Sequence, residues 1–235
     1  MNKFVERFKW KLVKLRYPRL QSTIESVREK KLTYLSEEAL RDLGRAALDN
    51  EKKKIRGAIL ETGCALGGSA LVLAAVKDKS RELRIYDVFD MIPPPSEKDP
   101  EEAKKRYEKI SSGASEGIRG DTYYGYQKDL YSKVHHTFRE YSFEPAENNI
   151  HLVKGLFEET LHVDSPVSLA HIDCDWYDSV MTCLSRIAPF LAPGGRFVID
   201  DYDAWGGCKK AVDEFFKDKP GYQFVHKSRL HILKS

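Results

Sequence analysis

From residue 55 onward, short apolar runs alternate with segments whose apolar residues recur at helical spacing. IRGAILET (55–62) enters a glycine turn, and SALVLAAVK (69–77) then reads as a helix. LRIYDVF (83–89) is the second apolar run, and NIHLVKG (149–155), VSLAHID (167–173) and GRFVIDD (195–201) are three more. Between the last two, DSVMTCLSRIAPFL (178–191) has helical spacing and is expected to stop at the turn APGG. AVDEFFKD (211–218) reads as a further helix, and YQFVHK with RLHILK as a closing antiparallel pair. This alternation predicts an α/β fold, a doubly wound, mostly parallel seven-stranded Rossmann-like sheet with helices on both faces. Ligands of such sheets bind at the carboxyl ends of the strands, so those ends hold the residues that matter.

The main domain is expected over residues 55–235, preceded by a helical N-terminal extension over 1–54. Within the extension, LSEEALRDLGRAALDNEKKK (35–54) is an amphipathic helix with Ser36 as its N-cap. Residues 91–130 form a long polar insertion with a short helix near 100–110, and an insertion of that length is either disordered or a functional lid.

Composition adds limits. The chain is +3 overall, but residues 1–19 carry Lys3, Arg7, Lys9, Lys11, Lys14, Arg16 and Arg19 against Glu6 alone. The remainder is therefore mildly acidic, which argues against a nucleic-acid-binding surface. The basic segment has apolar residues at Phe4, Val5, Phe8, Leu12 and Val13. Packing on its own domain or on a second subunit is the preferred reading, and weak contact with an anionic membrane surface is the alternative. Cys64, Cys174, Cys183 and Cys208 form no CxxC pair and read as reduced, semi-buried thiols of a cytoplasmic protein.

Two groups of residues carry chemistry. The first is Glu61-Thr62-Gly63-Cys-Ala-Leu-Gly67-Gly68-Ser69, a glycine-rich strand-to-helix turn whose backbone can approach a ligand closely. Its GxxxGG spacing differs from the GxGxxG of dinucleotide folds. Asp87, at the end of the second strand, is placed to accept bonds from the ribose of an adenosyl cofactor. The second group is Asp173 and Asp175 after the fourth strand with Asp200 and Asp201 after the fifth. Carboxylates clustered at one sheet edge repel, and a hard divalent cation removes that penalty. N-caps and solvated loop acids are the plainer alternative, and Asp178 reads as a cap for its helix.

The stretches ETGCALGGSA, YDVFD, VKGLFEETL, HIDCDWYDS, APGGRFVIDDY and WGGCKKAVDEF, in this order over residues 58–216, resemble the macrocin/mycinamicin-type sugar O-methyltransferases, a branch of the class I methyltransferases. The resemblance implies S-adenosylmethionine as methyl donor and Mg2+ or another hard cation. It puts Gly63, Gly67 and Ser69 at the methionine part, Asp87 at the ribose, and Gly155 and Phe157 beside the adenine. Glu61, Thr62, Gly68 and Asp173 complete the candidate cofactor set. Asp173, Asp200 and Asp201 match the metal positions and Asp175 the general base. Where the family has DGDxYxS, this chain has Cys174 in place of a small residue. The implied reaction is methylation of a hydroxyl on a sugar or glycosylated small molecule, in natural-product or polysaccharide biosynthesis. Because two neighbouring hydroxyls chelate a cation well, a vicinal diol is the expected acceptor feature. Association into a homo-oligomer is expected by analogy.

Weaker candidates surround these. Tyr107, Tyr123, Tyr124, Tyr126 and Tyr131 lie in or next to the insertion, where aromatic faces suit sugars; packing is the alternative for each. Tyr123, Tyr124, Tyr126, Trp176, Tyr177 and Trp205 form the candidate substrate set, with the two tryptophans as walls of the site. His135 and His136 read as surface or packing histidines. His171 reads first as a core histidine, with base or metal neighbour as the alternative. Competing functions are a catechol-type methyltransferase, a nicotinamide dehydrogenase (disfavoured by the glycine spacing) and a non-catalytic nucleotide-binding module.

Overall fold

Pro18 opens helix α1 (Pro18–Glu29) where a missing N–H costs nothing, and Leu20, Ile24 and Val27 bury one face of it. The computed structural model describes Trp10, Val13 and residues 15–235. Helix α2 (Glu37–Lys52) begins as expected at Ser36, whose hydroxyl accepts the Ala39 N–H at 3.2 Å. Its C-terminal turn takes up Ile55, whose N–H bonds to Asn50 O at 3.0 Å. Strand β1 therefore spans Ala58–Thr62 rather than 55–62.

The elements then run α3 (Gly68–Ala74), β2 (Leu83–Asp87), α4 (Glu101–Ser111), α5 (Leu130–Glu140), β3 (Ile150–Lys154), α6 (Phe157–Thr160), β4 (Val167–Ile172), α7 (Tyr177–Ile187), β5 (Leu191–Ile199), α8 (Gly206–Phe216), β6 (Tyr222–His226) and β7 (Leu230–Lys234). Two expectations need correction here. The segment APGG is not a turn between elements but the irregular start of β5. Val167 pairs with Leu191 and Leu169 with Arg196, so the extra residues bulge out of the ladder. Helix α8 begins five residues before the expected 211.

The seven strands make one sheet in the order β3-β2-β1-β4-β5-β7-β6. Strands β1 to β5 are parallel, and β7 is antiparallel to both of its neighbours. Ile59, Leu169 and Val198 share a core with α1, α2, α3 and α5. Leu60, Ala170, Ile172 and Phe197 share the other with α7 and α8. The sheet order reverses between β1 and β4, so the crevice for a ligand opens above Gly63 and Asp173. The helices of the N-terminal extension are part of the first core, with Leu20, Leu40 and Leu43 fully buried against the sheet.

Within the basic segment, Trp10 is buried: its indole N–H donates to Gln21 at 3.0 Å, and Arg41 and Arg45 lie over its ring. Phe4, Val5, Phe8, Leu12 and most of the charges of residues 1–19 lie outside the described residues. Among the described residues no helix is long and apolar enough to cross a membrane. All four cysteines are free and buried rather than semi-buried.

Candidate active site

The glycine turn is held from below. Gly63 has φ +87°, and a Cβ there would lie 1.8 Å from Asp173 O, so only glycine lets β1 and β4 end this close together. Gly67 has φ +86° and donates its N–H to Cys64 O, while the Gly68 N–H bonds to Leu32 O. The amides of Cys64 and Ala65 both point at Asp87 Oδ2, at 2.7 and 3.1 Å, and Phe89 N–H reaches Oδ1 at 2.7 Å. Asp87 thus grips the turn; burial raises its pKa against these three bonds. It also lines the cavity above the turn, where one lone pair of Oδ1 remains for a ligand.

That cavity brings together part of the expected cofactor set: Gly63, Asp87, Phe157 and Asp173. Gly155, at φ +146°, ties β3 to Asp87 O by its N–H and lies beside the cavity wall rather than in it. Glu61, Thr62 and Ser69 are buried beneath it. Thr62 donates to His171 O, the Ser69 hydroxyl donates to the Glu61 carboxylate, and the other Glu61 oxygen meets His171 Nδ1 at 2.9 Å. The roof comes from residues not singled out in the sequence: Ile92, Pro93, Pro94 and Ser96 of the insertion, and Leu156.

Beside the cavity stand the four aspartates. Asp175 sits in the left-handed region at φ +57°, a strained setting for a non-glycine residue, and its N–H points at Asp201 Oδ2 at 3.3 Å. Burial pushes the Asp175 carboxyl up to about 6. Burial first, then the neighbouring carboxylates, holds Asp173 and Asp201 well above the ordinary range. Asp200 differs. Burial acts to raise it, but His171 and the Arg229 guanidinium, 2.6 Å away, bring it below its usual value. On His171, the pull of Glu61 and Asp200 outweighs burial and raises its pKa well above normal.

The three expected metal positions therefore fall into two overlapping groups. Asp173 joins Asp200 and His171 in one, and Asp175 and Asp201 in the other, with ligand atoms in each within 4.8 Å of one another. Asp173 and Asp175 are half-buried and Asp201 is buried, and among the described residues none of the three has a Lys or Arg in salt-bridge contact, so the crowded all-oxygen donors fit a hard divalent ion.

The aromatic residues divide by role. Trp176 is buried, donates its indole N–H to Pro93 O at 2.9 Å, and packs edge-on against Trp205 at 5.2 Å. With Ile92, Ala103, Ile110 and Tyr123 it forms a small core that folds the insertion over the site. Tyr124 lines the cavity. Tyr126 is internal to the insertion, its hydroxyl donating to Ile110 O, and Tyr177 faces away, its hydroxyl donating to Glu214. Tyr107 packs against the insertion core, and Tyr131 packs on Phe89. His135 stacks on Tyr131, while His136 is exposed beside Glu140.

Asp178 lies in the first turn of α7 but does not cap it: the N-cap position is Trp176, and Asp178 is exposed and pairs with Lys98. Asp99, from the insertion, accepts the Tyr177 N–H at 2.8 Å and the Ser96 N–H at 2.9 Å. Gly207 leaves room for it, since a Cβ there would fall 1.8 Å from Asp99 Oδ1. Asp99→Ala is expected to cost about 1–2 kcal/mol, as loss of a helix cap does. Limited proteolysis checks this: cleavage within residues 91–130 should speed up well before the rest of the chain melts.

The sheet order, the glycine turn in the first crossover and the acidic edge define a class I methyltransferase fold. The profile of the macrocin-O-methyltransferase (TylF) family matches residues 26–223, and the chain belongs to that family. It is 26% identical over 167 residues to a tetracenomycin-related rhamnosyl 4'-O-methyltransferase of Streptomyces olivaceus, covering 68% of this chain. It is also 26% identical over 214 residues to mycinamicin III 3''-O-methyltransferase of Micromonospora griseorubida, covering 87% of this chain and 74% of that one. The chain spans 58% of the length of the Streptomyces olivaceus protein, and of the demethyldecarbamoylnovobiocin O-methyltransferase of Streptomyces niveus. Among solved structures it is similar to the O-methyltransferase NovP, with TM-score 0.70 at 21% identity over 87% of this chain and 81% of that one. The calicheamicin methyltransferase CalS11 follows at TM-score 0.59 and 18% identity, over 83% and 76%.

Proposed function

We propose that the chain is an S-adenosylmethionine-dependent O-methyltransferase that methylates a hydroxyl of a sugar or glycosylated small molecule, assisted by a hard divalent cation. The observation that carries this reading is the position of Asp175. It is a half-buried carboxylate that desolvation pushes up to about 6, grouped with Asp173 and Asp201 and lining the same cavity as Gly63 and Asp87. The named activities of the relatives support the sugar acceptor.

When bound, S-adenosylmethionine would supply an electrophilic sulfonium methyl, and a cation at Asp173, which both acidic groups share, with Asp200 and Asp201 beside it, would supply positive charge that favours loss of the acceptor's hydroxyl proton. The chain does the rest. Asp87 and the Gly63 turn orient the donor, with Phe157 against its adenine. Asp175 accepts the proton of the acceptor hydroxyl, as a general base within reach of the cavity must. Trp176, Trp205 and the folded insertion act as a lid that excludes water and fixes oxygen against methyl. A vicinal diol on the acceptor suits the crowded acidic edge, and a place in natural-product or polysaccharide biosynthesis suits such an acceptor.

The test is transfer of a deuterated methyl group from S-adenosylmethionine to a panel of rhamnosides and other glycosides, read by mass spectrometry with Mg2+ and with excess chelator. The expected result is a labelled glycoside whose yield falls more than about tenfold in chelator and returns with Mg2+ or Mn2+. Undiminished transfer in chelator would remove the cation from the reading, and label on no hydroxyl acceptor would remove the reaction.

A further inference from the structure

Under the cavity, one row of ionisable side chains crosses the face of the sheet that packs on α2 and α3. The Ser69 hydroxyl, in the first turn of α3, donates to one oxygen of Glu61. The other Glu61 oxygen meets His171 Nδ1 at 2.9 Å. The opposite ring nitrogen, Nε2, faces Asp200 Oδ1 at 3.9 Å and is buried without a hydrogen-bond partner. Asp200 Oδ1 is held in turn by Arg229 Nε at 2.6 Å. Glu61 and His171 are wholly buried and lie on adjacent strands in direct register. One imidazole thus bonds to the support of the glycine turn on one side and faces an aspartate of the acidic edge on the other.

We infer that His171 is a positioning residue that sets the glycine turn, where the methyl donor binds, against the acidic edge, where the cation binds. The inference rests on the proposed methyltransferase reading. Its physical basis is rigidity: Glu61 fixes the root of the turn through Ser69, and Asp200 can keep its orientation only while the ring and Arg229 hold it. A buried carboxylate that loses one of two charged or hydrogen-bonding partners is left partly uncompensated, and partners one step behind a cation's ligands tune its affinity.

The two ring nitrogens can be removed separately. In His171→Asn the amide nitrogen takes the place of Nδ1 and keeps the bond to Glu61, while nothing reaches Asp200. In His171→Gln the amide nitrogen takes the place of Nε2 and the Glu61 bond is lost. Both variants are made in the full chain, with circular dichroism to check folding. Binding of S-adenosylmethionine is measured by calorimetry in chelator, and binding of Mn2+ alone by loss of the free-ion electron paramagnetic resonance signal. The expected result for His171→Asn is Mn2+ affinity about tenfold weaker with donor affinity within about twofold. His171→Gln is expected to show the reverse, a donor affinity about tenfold weaker with Mn2+ little changed. Both affinities falling together in both variants, or neither moving, would overturn the link. Should a ring variant fail to fold, Arg229→Gln reads the row from its exposed end. A fall of about threefold in Mn2+ affinity with donor affinity within about twofold supports the link, and an unchanged Mn2+ affinity overturns it. A wild-type chain that binds no S-adenosylmethionine overturns the functional reading itself, and the link with it.

Discussion

Asp175→Asn is expected to lower kcat by about 10^2- to 10^4-fold, the range that general-base catalysis contributes, while the Kd for S-adenosylmethionine changes little. The asparagine keeps the shape of the side chain but cannot take a proton. The backbone at φ +57° tolerates this replacement better than most, because asparagine is among the residues that visit the left-handed region. A pH profile checks the same assignment. Burial raises the Asp175 carboxyl to about 6, so the residue becomes protonated, and useless as a base, as pH falls through that value. A cation on the neighbouring aspartates pulls that value down, so the wild-type rate should decline on the acid side of a pH at or below about 6. The asparagine variant should lose that limb along with the rate. A variant that retains wild-type kcat would assign the proton transfer to another group.

The largest effect on stability is expected at Gly63. Alanine there would put a Cβ 1.8 Å from the carbonyl oxygen of Asp173, a backbone atom that no side-chain rotation can clear. Strand ends β1 and β4 would have to part, and they carry the cavity floor and the first two aspartates. Gly63→Ala is expected to cost about 4 kcal/mol or more and to abolish donor binding. Gly113 supplies the control. It also has positive φ, at +78°, but its Cβ would meet nothing within 4 Å, so Gly113→Ala isolates the conformational cost of about 1–2 kcal/mol. Urea unfolding of the two variants measures the difference. Equal midpoints would mean that the close approach of β1 and β4 is not what demands glycine.

Much of this arrangement could be read from the chain because it follows from periodicity. Each apolar run became a strand, and the rule that ligands gather at strand ends selected Gly63, Asp87, Asp173 and Asp175, which do line one cavity. What escaped reading depends on register and on packing between distant segments. Glu61 and Ser69 looked like ligand contacts because they flank glycines. Only the pairing of β1 with β4 reveals that Glu61 faces His171 instead. Asp178 looked like the cap of α7 from its position, whereas Asp99, 78 residues before Tyr177, accepts the Tyr177 N–H once the insertion folds back. The segment APGG carries the same residues whether it makes a turn or a bulge, and the partner strand decides between them. Pro93 and Pro94 carried no ligand signal, since a cavity roof formed by prolines depends only on where Trp176 pins them.

Calorimetric titration of the intact chain with S-adenosylmethionine, and separately with NAD, tests the central claim most directly. Each titration is run with Mg2+ and after chelation. The account predicts micromolar binding of S-adenosylmethionine and none of NAD. Binding of NAD, or of neither ligand, would contradict it.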